Sequence, residues 1–327
     1  MSRRIAVIGA GGTIAMEGAH SFDWVDYGDS GIIHAVDEVV AGMSFGLPFV
    51  DVVSHPFRAL PGTGISPKDW LDLAREIQAV AASGEVDGIV VTHGTATLEE
   101  TAFFLHCTVR CGMPVVVCGS QRPPNTVSSD AVSSVRNALA AAAQAPVGVY
   151  VAMNGYLYSP ADVSKTANHA LDAFDAPEFG PLGRIEASGM LSMRRGALPP
   201  ARVFDGSAWS AQDFARVDVA YSYAGADGVA IDAYAAAGCA GLISVGFPPG
   251  RCTPAERAAL LRAVRQGVTV VQASRALRGA VPLQAYNTAD GILSGGGLSP
   301  GKLRILLMLA LAGKLPRQEI QALLLSA

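Results

Sequence analysis

The sequence predicts an α/β protein of two domains: a larger N-terminal domain with a mainly parallel sheet flanked by helices, and a smaller C-terminal domain with its own parallel sheet. Short apolar runs rich in β-branched residues recur at 4–8, 88–91, 114–118, 147–152, 240–245 and 268–272, with amphipathic helical patterns between most of them. Such alternation marks successive βα units. The pattern breaks down between Gly189 and Asp213, where Met190-Leu191-Ser192-Met193-Arg194-Arg195 is followed by Gly196, Pro199, Pro200, Gly206 and several serines. A stretch of this composition reads as an interdomain linker. The expected division is therefore 1–189, a linker at 190–213, and 214–327.

Each element has a local reason. The first strand, 4–8, runs into the turn Gly9-Ala10-Gly11-Gly12-Thr13. Ser66 and Pro67 open the helix through 70–82 as N-cap and first helical residue, and the strand 88–91 leads into a second turn, Thr92-His93-Gly94-Thr95-Ala96-Thr97. Thr97-Leu98-Glu99-Glu100 and Thr253-Pro254-Ala255-Glu256 both read as capping boxes, and Ser299-Pro300 starts a helix through Leu311. Cys107 and Cys111 stand at i, i+4 in a helical stretch and read as small core hydrophobes sharing a face.

Composition narrows the function. The chain has 327 residues, 50% of them hydrophobic, and a net charge of −4 with no block of either sign. That argues against nucleic acid or a membrane surface as partner and favours a small molecule. The apolar run Ile5-Ala6-Val7-Ile8 is too short for the core of a signal peptide, and the stretch 303–312, interrupted by Arg304, falls short of the ~20 residues of a spanning helix. The expectation is a cytoplasmic protein. Five cysteines without CxxC spacing argue against a disulfide framework or a zinc site, and no metal is expected.

The two turns bear the chemistry. Each places a threonine hydroxyl on a glycine-loosened turn after a parallel strand, where open α/β sheets hold their ligands. The first does not fit a dinucleotide fingerprint, because Ile14 stands where the third glycine or alanine belongs. A threonine nucleophile needs a base or proton relay and donors for an oxyanion, and glycine turns expose backbone N–H groups. His93 reads as a residue that holds its turn through a ring hydrogen bond.

Taken together, Gly12-Thr13-Ile14-Ala15, the run from Asp87 through Thr92-His93-Gly94-Thr95 to Ala102, Asp162-Val163-Ser164-Lys165-Thr166, Phe179-Gly180-Pro181-Leu182-Gly183 and Ser294-Gly295-Gly296-Gly297-Leu298-Ser299-Pro300 resemble the bacterial L-asparaginase/glutaminase family over nearly the whole chain. The resemblance implies a threonine amidohydrolase acting on a small-molecule amide without metal or organic cofactor. It also implies a homotetramer or homodimer with active sites at subunit interfaces. It assigns Thr13 as nucleophile, Tyr27 as its assisting tyrosine, and Thr95 with Lys165 as the second pair. Gly62, Thr63, Gly94, Ala96 and Gln284 fall at its substrate-binding positions.

Several of those positions depart from the family pattern. Ala96 replaces the aspartate that grips a substrate α-amino group, Gly62-Thr63-Gly64-Ile65 replaces the carboxylate-binding serine and glutamine, and Gln284 replaces a glutamate. The loop Gly246-Phe247-Pro248-Pro249-Gly250 has lost an asparagine. A site that keeps its hydroxyls and lysine but drops the carboxylates that pair an ammonium is expected to act on an amide with no free α-amino group, or a masked one. Two alternatives stay open: an L-asparaginase with anchors supplied elsewhere, such as Asp26 or Asp29, and a binding homologue without turnover.

Overall fold

The computed structural model describes residues 2–196 and 198–327, which separate into two compact units, Met1–Pro199 and Pro200–Ala327. In the first unit β1 (Arg3–Gly11), α1 (Val36–Ala41), β2 (Val50–Leu60), α2 (Pro67–Ala82), β3 (Gly88–Thr92), α3 (Leu98–Thr108), β4 (Pro114–Cys118), α4 (Ala131–Gln144) and β5 (Gly148–Met153) alternate as expected. Short strands follow: β6 (Tyr156–Tyr158), β7 (Ser164–Lys165), β8 (Phe174–Asp175), β9 (Gly183–Ile185) and β10 (Leu191–Met193).

The eight-stranded sheet has the order β10-β9-β6-β5-β4-β3-β1-β2. Strands β1 to β5 pair in parallel, whereas β6, β9 and β10 are added antiparallel. Every residue of β3 and β4 is buried, as a parallel sheet covered on both faces requires. Helix α4 lies in one apolar cluster with Val36 of α1 and with Ile5, Val7, Val90 and Val116 of the sheet, while α3 packs with α2 outside that cluster. The steps β3 to β4 and β4 to β5 run the same way across the sheet, so helices on opposite faces give the two crossovers opposite hands. One of them departs from the right-handed rule. The long connection 119–130 spans the strand end to reach α4.

Strand β1 lies between β2 and β3, so the chain leaves it to one side and returns on the other. This is the point at which open sheets form a crevice beyond their carboxyl ends. Gly9 of β1 is in register with Thr92 of β3, which brings the two threonine turns to the same edge.

The second unit is built from β11 (Val217–Tyr221), α5 (Val229–Ala236), β12 (Gly241–Gly246), α6 (Pro254–Arg265), β13 (Thr269–Ser274), α7 (Ala285–Ala289), β14 (Leu293–Ser294), α8 (Pro300–Ala312) and α9 (Arg317–Ser326). Its four strands form a parallel sheet in chain order.

The Ser66 and Thr253 capping boxes form. Three local expectations are corrected. Part of the stretch read as a linker, Leu191–Met193, is an edge strand paired with β9, because Leu191 and Met193 turn their side chains onto the large cluster. Thr97 precedes α3 without a side-chain cap bond, since its hydroxyl donates to the Gly62 carbonyl at 2.7 Å. Cys111 lies beyond the end of α3, where Gly112, at φ 70°, turns the chain into β4, so it shares no helix face with Cys107.

Candidate active site

The site grows from three stretches of backbone packed too closely for side chains. Gly12, at φ 84°, would place a Cβ 2.2 Å from Gly94 Cα, and a Cβ on Gly94 would fall 2.3 Å from Gly62 Cα. Only glycine allows this approach. The ends of β1 and β3 and the turn after β2 therefore meet at one point, with Thr13 and Thr95 buried beside it.

Each threonine hydroxyl meets a polar side chain from elsewhere in the chain. Thr13 Oγ1 and the Tyr27 hydroxyl are 2.8 Å apart, and Lys165 Nζ donates to Thr95 Oγ1 at 2.9 Å. Tyr27 begins a short 3-10 turn, Tyr27–Ser30, in the long connection between β1 and α1. Lys165 sits on β7, whose antiparallel partner β8 fixes it through the pairing Lys165–Phe174. Burial pushes the Lys165 ammonium below the ordinary lysine range, while the Glu99 carboxylate pulls the other way. Glu99 also accepts the Lys165 backbone N–H at 3.1 Å.

A buried relay holds the second turn. His93 Nδ1 lies 2.8 Å from the Gly94 carbonyl, which can only accept, so Nδ1 carries the proton. Nε2 then accepts from Thr101 Oγ1 at 2.9 Å, and Thr101 in turn accepts from Trp70 Nε1 at 2.7 Å. The imidazole is 1% exposed, and burial depresses its pKa to about 4, so it stays neutral. Every member of the relay is committed to structure.

The positions that the resemblance assigns to substrate binding are Gly62, Thr63, Gly94, Ala96 and Gln284. Gly62, Gly94 and Ala96 converge: a Cβ built on Gly62 would be 3.8 Å from that of Ala96, an ordinary contact, with Ala96 itself exposed. Thr63 is exposed in the adjoining turn. Gln284 belongs to the second unit, where its amide donates to Pro249 O at 3.0 Å and accepts from Asn287 at 2.8 Å and from the Tyr286 hydroxyl. Asp26 and Asp29 are exposed in the Tyr27 segment. Sequence reasoning missed Glu99, Thr101 and Trp70 as supports of the site. Trp70 meets Thr101 across 31 positions of sequence and Glu99 meets Lys165 across 66, and only a commitment to the fold could have paired them.

Two family models cover the chain: residues 4–197 match the N-terminal asparaginase domain and residues 216–324 the glutaminase/asparaginase C-terminal domain. L-asparaginase 2 of Bacillus subtilis (strain 168) is 36% identical over 322 residues, 97% of this chain and 85% of that protein. A glutaminase-asparaginase of Pseudomonas fluorescens biotype A is 31% identical over 324 residues, covering 97% and 88%. The solved structure of a probable cytoplasmic L-asparaginase from Campylobacter jejuni matches with a TM-score of 0.91 at 32% identity, over 99% of both chains. The chain belongs to the asparaginase family, hydrolases of amide C–N bonds.

Proposed function

We propose that this protein hydrolyses a small-molecule amide by acyl transfer to Thr13. The carrying observation is the convergence, at one sheet edge, of two hydroxyl pairs: Thr13 with Tyr27 at 2.8 Å and Thr95 with Lys165 at 2.9 Å. Thr13 Oγ1 attacks the carbonyl carbon, with the Tyr27 oxygen placed to take part in moving its proton. The C–N bond then breaks, a proton goes to the nitrogen, and ammonia or an amine leaves. Water adds to the acyl ester, its proton taken up through Thr95 by a neutral Lys165, and cleavage of the ester C–O bond restores Thr13.

The substrate is an amide without a free α-amino group, or with that group masked. An ammonium bound beside Ala96 finds a methyl group where a carboxylate would pair with it, and a charge-assisted bond is worth about 1.5–3 kcal/mol. A second reading, L-asparaginase, is favoured by the 36% identity to a protein of that name. The family also supports a homo-oligomer, and the solved neighbour supports a cytoplasmic location; among the described residues no helix is long and apolar enough to cross a membrane.

The test is ammonia release from L-asparagine, L-glutamine and succinamic acid, which is asparagine without its amino group, with Thr13→Ala as control. Turnover of succinamic acid well above that of the amino acids is expected. Equal or better turnover of L-asparagine would select the second reading, and activity that survives Thr13→Ala would remove the nucleophile.

A further inference from the structure

The segment that carries Tyr27 is gripped by the 119–130 connection between β4 and α4. Asn125 supplies the directional tie: its side-chain amide accepts from Gly18 N at 2.9 Å and donates to Gly18 O at 2.7 Å. Val127 N donates to Ser21 O at 2.8 Å, and the Arg122 guanidinium lies 3.9 Å over the Trp24 ring. A Cβ on Gly18 would fall 2.7 Å from Thr126 Cγ2, so the two loops touch with no room for a larger residue. Trp24 Nε1 is buried without an acceptor, so packing and the cation hold the indole while the Asn125 amide supplies the orientation.

The gripping loop is itself fixed. The Asp130 carboxylate accepts from Gln121 N at 2.9 Å and from Arg122 N at 3.0 Å, and Arg122 Nη1 donates to Ser128 O at 3.1 Å. Its other end reaches the hairpin that carries Lys165, where Gln121 Nε2 donates to Ala170 O at 3.0 Å. One loop therefore braces both of the segments that deliver a functional side chain to a threonine.

We propose that Asn125, together with the Arg122–Trp24 stack, is a positioning residue for Tyr27: it holds the 18–30 segment where the phenol stays within hydrogen-bond reach of Thr13. The proposal rests on the reading of Thr13 and Tyr27 given above. Within the Tyr27 segment there is one short 3-10 turn and a buried Asp23 carboxylate that accepts from Ala19 N and Asp26 N at 2.9 Å each, but most of its residues are exposed. Such a loop takes its order from its ties, and without them the phenol is spread over many positions.

The experiment compares Asn125→Ala, Tyr27→Phe and the double variant in the full-length protein. Ammonia release from L-asparagine and succinamic acid is measured together with backbone hydrogen exchange across 18–30. Asn125→Ala is expected to lower kcat about five- to twentyfold, to change KM less than twofold and to quicken exchange in 18–30 alone. It should cost nothing further in the Tyr27→Phe background. Asn125→Asp keeps an acceptor for Gly18 N–H but sets a carboxylate oxygen against the Gly18 carbonyl where the amide donated at 2.7 Å, so it should not restore the rate. Unchanged exchange, or the full Asn125→Ala loss persisting without the phenol, overturns the proposal and leaves the Thr13 reading intact. Quickened exchange with an inert Tyr27→Phe overturns the role of Tyr27, and the proposal with it; activity that survives Thr13→Ala overturns the underlying reading separately.

Discussion

Lys165 shows how burial sets the chemistry of a single side chain. Desolvation lowers its pKa, and the nearby Glu99 carboxylate opposes the shift without cancelling it. Only the neutral amine can accept a proton from Thr95 or a water, so activity should fall as pH drops and the lysine protonates. The kcat–pH profile is expected to rise to a plateau, with an inflexion below the ordinary lysine value of ~10.4. Lys165→Met should erase that inflexion and lower kcat roughly 10²- to 10⁴-fold. Lys165→Arg keeps the length and the charge but cannot deprotonate, so it should not rescue the rate. A profile unchanged in Lys165→Met would mean that another group takes the proton. Ala96 acts by the opposite means, since it removes a charge rather than tuning one. Both side chains could be singled out from local motifs, whereas Glu99 could not: it meets Lys165 across 66 positions of sequence.

The turn after β3 derives its rigidity from the buried relay Trp70–Thr101–His93–Gly94, whose geometry requires a neutral imidazole. This has a stability consequence whose sign follows from the lowered pKa. In the unfolded chain His93 protonates near ~6.5, but in the native state only near about 4. Between those values the unfolded state binds more protons, so the contribution is complete above pH ~6.5 and is lost as pH falls towards 4. Denaturant unfolding at pH 7 and at pH ~4.5 should show the stability gap between the parent and His93→Gln narrowing by about 2–3 kcal/mol at the lower pH. A gap that stays constant would place the proton elsewhere. Sequence reasoning gave His93 a turn-holding role by type alone; the Trp70 and Thr101 links depend on how α2 and α3 pack. The same limit explains Thr97. Its motif fits a capping box, yet the hydroxyl bonds Gly62, because the close approach of three glycine turns brings a carbonyl within reach that no local pattern records.

For the whole chain, alternation of strand and helix made the two parallel sheets legible, and the weakly apolar strands were the ones overlooked. β2 carries His55, Pro56 and Arg58 because it is an edge strand, half-buried along most of its length, so it lacks the continuous apolar run of β3 or β4. β10 was hidden in residues that resemble a linker. The second unit has a core of its own: Leu242, Leu260, Ala263, Val270 and Ile292 cluster between its sheet and the helices α5 and α6, and the buried side chains of α8 pack on β11, β12 and β13. A parallel sheet covered by its own helices does not need another domain to close it. Residues 200–327 expressed alone should therefore unfold in one cooperative transition, and should release no ammonia, since Thr13, Tyr27, Thr95 and Lys165 all lie in the first unit. Native-like far-UV circular dichroism with a sigmoidal urea curve would support this. A fragment with no cooperative transition would show instead that the second unit depends on residues outside it for its order, through the first unit or through another copy of the chain.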